Sequence, residues 1–405
     1  MKNVIFISPN FPQNYWLFCR ALRDKGANVL GIGDAPYDEL LPQLREALTE
    51  YYRVDSLENY DQVYRAVAFF IFKYGRVDFL ESNNEYWLQQ DARLRTDFNI
   101  PGFHNDDIPR IRFKSGMKAH YLWAGIPVAR YHLVDDKIGC LSFLAEVGWP
   151  VVVKPDNGVG AAATYKLRCE ADLDRFLKEW DRSVPSIMEE FIQGQVETYD
   201  AIYNSRGEPL FEAGNVSPIS IMDIVNDNGN CAFYIRKEVP EDIRTAGRAA
   251  AKAFGVRSRF IHFEFFRLSR DQHIGKKGDV VALEVNMRPS GGVSPDMMNY
   301  ARSTDVYRIW ADMVVDDRTD LASSHPCYCA YAGRRDGLTF RLSHEELLAR
   351  WGDRLRQEGR VPDALSGAMG NYMYLCVCED REQLDAFYRD ALDSVGPENT
   401  AIPVV

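Results

Sequence analysis

Apolar and polar positions in the first hundred residues alternate between short apolar runs and amphipathic stretches. Residues 2–7 form a short apolar run and predict a strand. Residues 8–13 hold Pro9 and Pro12 and predict a loop. Over residues 14–25, Trp16, Leu17, Cys19, Ala21 and Leu22 recur near helical spacing, with Gly26 as a stop. Residues 28–32 predict the next strand, 60–73 a helix and 77–80 another strand. Strands linked by helices in this way form right-handed βαβ units, so residues 1–112 read as a Rossmann-like domain. Within it, residues 102 to about 111 contain two prolines and few large apolar side chains, which predicts a linker.

The pattern then changes. Residues 115–124 predict a helix ending at Gly125, followed by a helix over 139–147. An apolar strand over 150–155 carries Lys154 and runs into a loop, Asp156-Asn157-Gly158-Val159-Gly160, with three alanines after it. A helix over 171–180 and a strand over 186–190 complete a small α+β unit spanning 113–188. Residues 189–315 read as a larger lobe, and 316–405 as an α+β extension packed on it. The class expected is α/β followed by α+β, without internal repeats or low-complexity tracts.

At about 150 residues per domain, 405 residues suit two to three domains and bury a large core without staples. The charge of −11, from 48 basic and 59 acidic residues, disfavours nucleic-acid binding driven by bulk charge. No apolar run approaches the ~18 residues of a membrane span, and the N-terminal run is too short for a signal-peptide core. A cytoplasmic protein is expected. Four of the eight cysteines form C-x-C pairs, Cys327/Cys329 and Cys376/Cys378. Both pairs sit in apolar stretches that predict strands, so core thiols are favoured over a zinc site.

Three segments carry candidate chemistry. In the first, Gly158 and Gly160 allow a tight turn whose N–H groups can close over an anion, with Lys154 at the strand end to meet phosphates. A glycine-rich hairpin with a solvated lysine is the competing reading. In the second, Met188-Glu189-Glu190-Phe191-Ile192 runs into Gln193-Gly194-Gln195-Val196-Glu197. Glu189 or Glu190 with the Ile192 N–H would meet the polar edge of an adenine, Phe191 or Ile192 would wall it, and Glu197 could accept ribose hydroxyls. An acidic edge strand is the alternative there. The third segment rests on strand parity. His262, Glu264 and Phe266 share one face of 261–266, while Glu284, Asn286 and Arg288 share one face of 281–288. Antiparallel pairing would bring Glu264, Glu284 and Asn286 together as oxygen ligands for Mg²⁺, with Arg288 beside them for phosphate oxygens. A solvent-facing sheet with scattered charge is the alternative.

In their order and spacing, PVVVKPDNGVGAAAT, MEEFIQGQVE and HFEFF…LEVNMRPSGG resemble the ATP-grasp enzymes of the carboxylate–amine ligase type. The likeness spans roughly residues 1–310. It implies a Rossmann-like domain followed by a two-lobed clamp over ATP. By that resemblance Lys114 and Lys154 contact phosphates, Glu189 to Ile192 hold adenine and Glu197 holds ribose. Glu264, Glu284 and Asn286 would bind two Mg²⁺ ions, for which Mn²⁺ can substitute, and Arg288 would hold the transferring phosphoryl group. Where the family often has a serine after the second glycine, Ala161 to Ala163 stand here, so phosphate contacts would fall to backbone N–H groups.

The resemblance implies activation of a small-molecule carboxylate as an acyl phosphate, attack by an amine, and release of ADP and phosphate. A biotin-carboxylase-like or carbamoyl-phosphate-like enzyme using bicarbonate, and a nucleotide-binding regulator without turnover, are the alternatives. Ser290 and Gly291 form a small-residue turn whose N–H groups could meet an acyl oxygen. Arg334 and Arg335 could anchor a carboxylate, or belong to a basic hairpin turn. A homodimer is the candidate assembly, without nucleic acid or membrane as partner.

Overall fold

A computed structural model describes residues 1–158, 164–218 and 229–395. The first of its three sheets is four-stranded and parallel, in the order Glu50–Arg53, Asn28–Gly33, Asn3–Ile7, Phe79–Glu81. Its central strand is buried on both faces, as parallel sheets require. Val4 and Phe6 pack toward the Trp16–Asp24 helix, and Ile5 and Ile7 toward the Tyr60–Tyr74 helix. The Rossmann-like pattern is therefore present. The helix Pro42–Ala47 and strand Glu50–Arg53 add a further unit that periodicity did not reveal.

The expected linker is not one. Residues 102–111 carry a turn at Asn105–Asp107 and the start of a helix, Ile108–Arg112. Ile108 and Ile111 are buried with Met117, Phe254, Phe263 and Val285. These side chains fasten the parallel domain to the larger lobe. Proline marked the region as irregular, yet Pro109 sits in the first turn of a helix, where its missing N–H costs nothing.

The second sheet is small and antiparallel, in the order Tyr131–Leu133, Ser186–Glu190, Val151–Pro155, Tyr165–Leu167. Helices Lys137–Val147 and Glu170–Glu179 cover one face through Cys140, Phe143, Leu144, Leu173 and Phe176. The third sheet has nine strands. Val280–Asn286 stands at one edge, next to Arg259–Leu268 and then Gly194–Tyr203.

The strands Tyr328–Arg334, Tyr372–Cys378 and Leu355–Arg360 continue this same sheet beyond Cys231–Ile235. Residues 316–405 were expected to pack on the larger lobe as an extension. Their strands are instead hydrogen-bonded into its sheet. All four C-x-C thiols are buried and unpaired; Cys376 and Cys378 face one core, and Cys329 faces the other. No helix among the described residues is long and apolar enough to cross a membrane.

Candidate active site

The face of the large sheet that turns from the Tyr199–Phe263–Val285 core carries the polar cluster. Glu264 stands directly opposite Glu284, and His262 opposite Asn286. On the other side Glu264 pairs with Thr198 and His262 with Asp200. Like charges placed directly opposite repel, so two facing carboxylates need cations. Here His262 Nε2 lies 3.1 Å from Glu264 Oε1, and Lys114 Nζ lies 3.2 Å from Glu284 Oε1. His262 Nδ1 also meets Asp200 Oδ1 at 2.8 Å. Burial alone would lower the imidazole; Asp200 and Glu264 outweigh it and push it up to about 9. The two carboxylates and the Asn286 amide oxygen are a hard-oxygen donor set that fits Mg²⁺. Arg288 borders the set, with Nη2 3.4 Å from Asn286 Oδ1 and Nε 3.8 Å from Glu85 Oε2.

Across the cleft the small lobe supplies cations. Lys154, at the end of Val151–Pro155, meets Glu189 Oε2 at 2.6 Å. Glu189 Oε1 meets Lys118 at 2.5 Å. Burial raises the Glu189 carboxyl, but the two lysines overcome it and bring it to about 2. Lys118 escaped the sequence reading. Its signal was its place four residues after Lys114, which stacks the two on one face of the Lys114–Trp123 helix. Asp156 ties that helix to the lysine strand: its carboxylate accepts from the Ser115 N–H at 2.8 Å and the Ser115 hydroxyl at 2.7 Å. Lys114 Nζ donates to the Gly158 carbonyl at 3.1 Å. Gly160 lies outside the described residues.

In the connector between lobes, Ile192 is buried against Ala129, Leu268 and Val281 beside Phe266, an apolar wall. Phe191 has the Lys166 ammonium 3.7 Å from its ring centre. Gln272 fastens Gln193 by two hydrogen bonds, one to its N–H at 2.9 Å and one to its carbonyl at 2.7 Å. The acidic side chains here are committed elsewhere. Glu190 accepts from Arg130 Nε at 2.9 Å and Nη2 at 2.6 Å, and Glu189 holds its two lysines. An adenine edge would meet main chain at this connector, a correction to the carboxylate acceptor expected at Glu189 or Glu190.

Two further expectations are corrected. Glu197 pairs in register with Phe265 and so points to the opposite face from Glu264. There it is buried between Arg267, at 2.9 Å and 3.0 Å, and Arg236, at 2.6 Å, rather than set to receive ribose. Arg334 and Arg335 do not offer their guanidiniums as a carboxylate anchor. Arg334 donates to the carbonyls of Ala391 and Leu342, and Arg335 to those of Gly229, Ser366 and Gly367. Ser290 and Gly291 do follow Arg288 as a turn; Ser290 is buried, and the next residue, Gly292, has φ +63°.

No protein-family model matches the chain. Over 241 residues it is 24% identical to the L-arginine-specific L-amino acid ligase of Bacillus subtilis, covering 57% of this chain and 56% of that relative. The chain thus spans little more than half the length of that curated relative. Among solved structures, the L-amino acid ligase from Bacillus licheniformis superposes with a TM-score of 0.71 at 16% identity, covering 98% of each chain. The biotin carboxylase domain of Hydrogenobacter thermophilus 2-oxoglutarate carboxylase, solved with MgADP and bicarbonate, gives 0.67 at 15% identity, covering 96% of this chain and 89% of that one.

Proposed function

We propose that this chain, which has the ATP-grasp fold, is an ATP-dependent ligase that joins a carboxylate to an amine and releases ADP and phosphate. One observation carries the reading. A cross-strand set of Glu264, Glu284, Asn286 and Arg288 faces Lys114 across a 3.2 Å contact to Glu284, while Lys154 is held beside it by Glu189. Anion-binding lysines on one wall and cation-binding carboxylates on the other are what a nucleoside triphosphate with its metal requires.

A carboxylate is a poor electrophile at neutral pH. Transfer of the γ-phosphoryl group to its oxygen forms an acyl phosphate and frees ADP. The amine nitrogen then attacks the acyl carbon, phosphate leaves with the C–O bond electrons, and the nitrogen sheds a proton. Lys114 and Lys154 neutralise the phosphate chain, and Arg288 holds the phosphoryl group as it moves. The adenine lies against Ile192, Phe266 and Leu268, with its polar edge on the connector's main chain. Gly158 begins the loop that covers the phosphates and keeps water from the acyl phosphate. Glu264, Glu284 and Asn286 hold two Mg²⁺ ions, which when bound screen the charge of the triphosphate. Names of similar proteins support an amino acid among the reactants.

The test is phosphate release over pools of carboxylic acids and amines, with bicarbonate as a separate arm and mass analysis of products. ADP and phosphate are expected with an organic acid. Hydroxylamine in place of the amine traps the intermediate as a hydroxamate. AMP and pyrophosphate as products overturn the acyl-phosphate route; turnover with bicarbonate alone moves the enzyme to the carboxylating branch.

A further inference from the structure

The carboxyl ends of Asn3–Ile7 and Phe79–Glu81 open onto the turn after Arg288, the place where parallel sheets commonly bind ligands. Three contacts close this mouth. Asn14 Nδ2 donates to the Gly292 carbonyl at 3.2 Å and to Asp296 at 2.9 Å. Tyr15 Oη donates to the Asn83 carbonyl at 2.7 Å. Glu85 lies 3.8 Å from Arg288. Around it, four buried side-chain atoms lack any hydrogen-bond partner among the described residues: Asn10 Oδ1, Asn83 Nδ2, Glu85 Oε2 and Ser290 Oγ. Asn83 and Ser290 are only 2% and 3% exposed. A buried polar atom left unpaired costs about 1–3 kcal/mol, so a concentration of them marks a place for a polar ligand.

The chemistry of the four atoms selects that ligand. Asn83 Nδ2 donates, Asn10 Oδ1 and Glu85 Oε2 accept, and the Ser290 hydroxyl does either. A plain carboxylate brings acceptors alone and would leave Glu85 and Asn10 unsatisfied. A carboxylate with an ammonium beside it satisfies both kinds. The far wall is apolar and comes from the C-terminal strands. Met369 Cε would lie 2.7 Å from a Cβ placed on Gly292, its carbonyl accepts from Tyr331 Oη at 2.8 Å, and Arg335 grips the carbonyls of Ser366 and Gly367.

We propose that this mouth is the subsite of the acid to be activated, that it takes an α-amino acid with its ammonium on Glu85 and Asn10, and that Met369 limits the size of the amino-acid side chain. The assignment rests on the ligase reading above. The subsite would present the carboxylate to Arg288 for phosphorylation.

Hydroxamate formation with hydroxylamine as the fixed amine isolates the acid. L-Alanine and L-leucine are compared with their desamino analogues, propionate and 4-methylpentanoate. Wild type should prefer each amino acid by roughly tenfold or more in kcat/KM, since the ammonium adds a charged hydrogen bond. Glu85→Gln should erase most of that preference through the KM of the amino acid, with the KM for ATP unchanged. Met369→Ala should shift preference from L-alanine toward L-leucine. Equal loss on both acids in Glu85→Gln, or a wild type indifferent to the ammonium, overturns the subsite. Wild type that forms no hydroxamate with any acid refutes the ligase reading instead. Calorimetric titration of L-alanine and L-leucine onto the MgADP-loaded protein then decides the subsite alone: heat abolished by Glu85→Gln supports it, and no heat in wild type overturns it.

Discussion

Arg259 and Glu81 form an ion pair at 2.6 Å, with both side chains 3% exposed, between the strand that carries Glu264 and the parallel sheet. Arg95 meets the same Glu81 oxygen at 2.9 Å. One carboxylate thus holds two buried guanidiniums at the junction of two domains. Burial raises Glu81, and Arg259 and Arg95 overcome that to keep it below the ordinary carboxylate value. Removing that charge strands both arginines, which typically costs about 3–5 kcal/mol. Glu81→Gln should lower the urea midpoint accordingly. It should also raise the KM of the acid, because Arg259 donates to the Met287 carbonyl next to Arg288.

Asp91 behaves in the opposite sense. It is fully buried, accepts from the Ser82 hydroxyl at 2.6 Å and N–H at 3.1 Å through Oδ2, and leaves Oδ1 without a partner. Burial and the neighbouring Glu81 charge raise it to about 7. Between the unfolded value near ~4 and about 7, the native state holds a proton that the unfolded state has lost. Stability from this group is therefore full below pH ~4 and falls as pH rises through about 7. Asp91→Asn should flatten that decline, so that thermal unfolding at pH 5 and pH 8 differs less in the variant than in wild type.

Lys118 acts through Glu189 on Lys154. Lys118→Met should raise the KM for ATP several-fold while largely sparing kcat, with Lys118→Arg restoring part of the affinity. Lys154→Ala removes a phosphate contact itself and should depress kcat/KM for ATP much further. Equal kinetics in Lys118→Met and wild type would show that Lys154 needs no help in reaching the phosphates.

Glu284→Ala should abolish turnover, by at least about a hundredfold, without lowering the melting temperature. Its carboxylate faces Glu264 across the strand pair, and removing one of two facing acids relieves repulsion in the metal-free protein. Loss of the Mg²⁺-dependent rise in melting temperature is the companion readout.

The polar face was legible because strand parity is local. Glu264, Glu284 and Asn286 sit on two strands joined by a short loop, so period two alone aligns them. Glu197 defeated the same rule. Its face depends on pairing with Phe265, 68 positions later, and the register of distant strands is not written in either strand. Arg334 and Arg335 resembled a ligand clamp because guanidiniums suit carboxylates and main-chain carbonyls alike. The joining of residues 328–378 to the large sheet was hidden for the same reason as Glu197.

That joining has a consequence for the order in which the protein can be made. The strand Cys231–Ile235 hydrogen-bonds to Tyr328–Arg334, so one of its edges stays bare until about a hundred more residues have left the ribosome. The apolar wall at Met369 arrives later still, after the strands bearing Glu264 and Glu284. During synthesis the nucleotide-binding face can therefore settle before the wall that screens the acid is in place. A nascent chain stalled near residue 315 should bind MgATP, if at all, without selecting an acid, and should be prone to edge-to-edge aggregation unless a chaperone covers it.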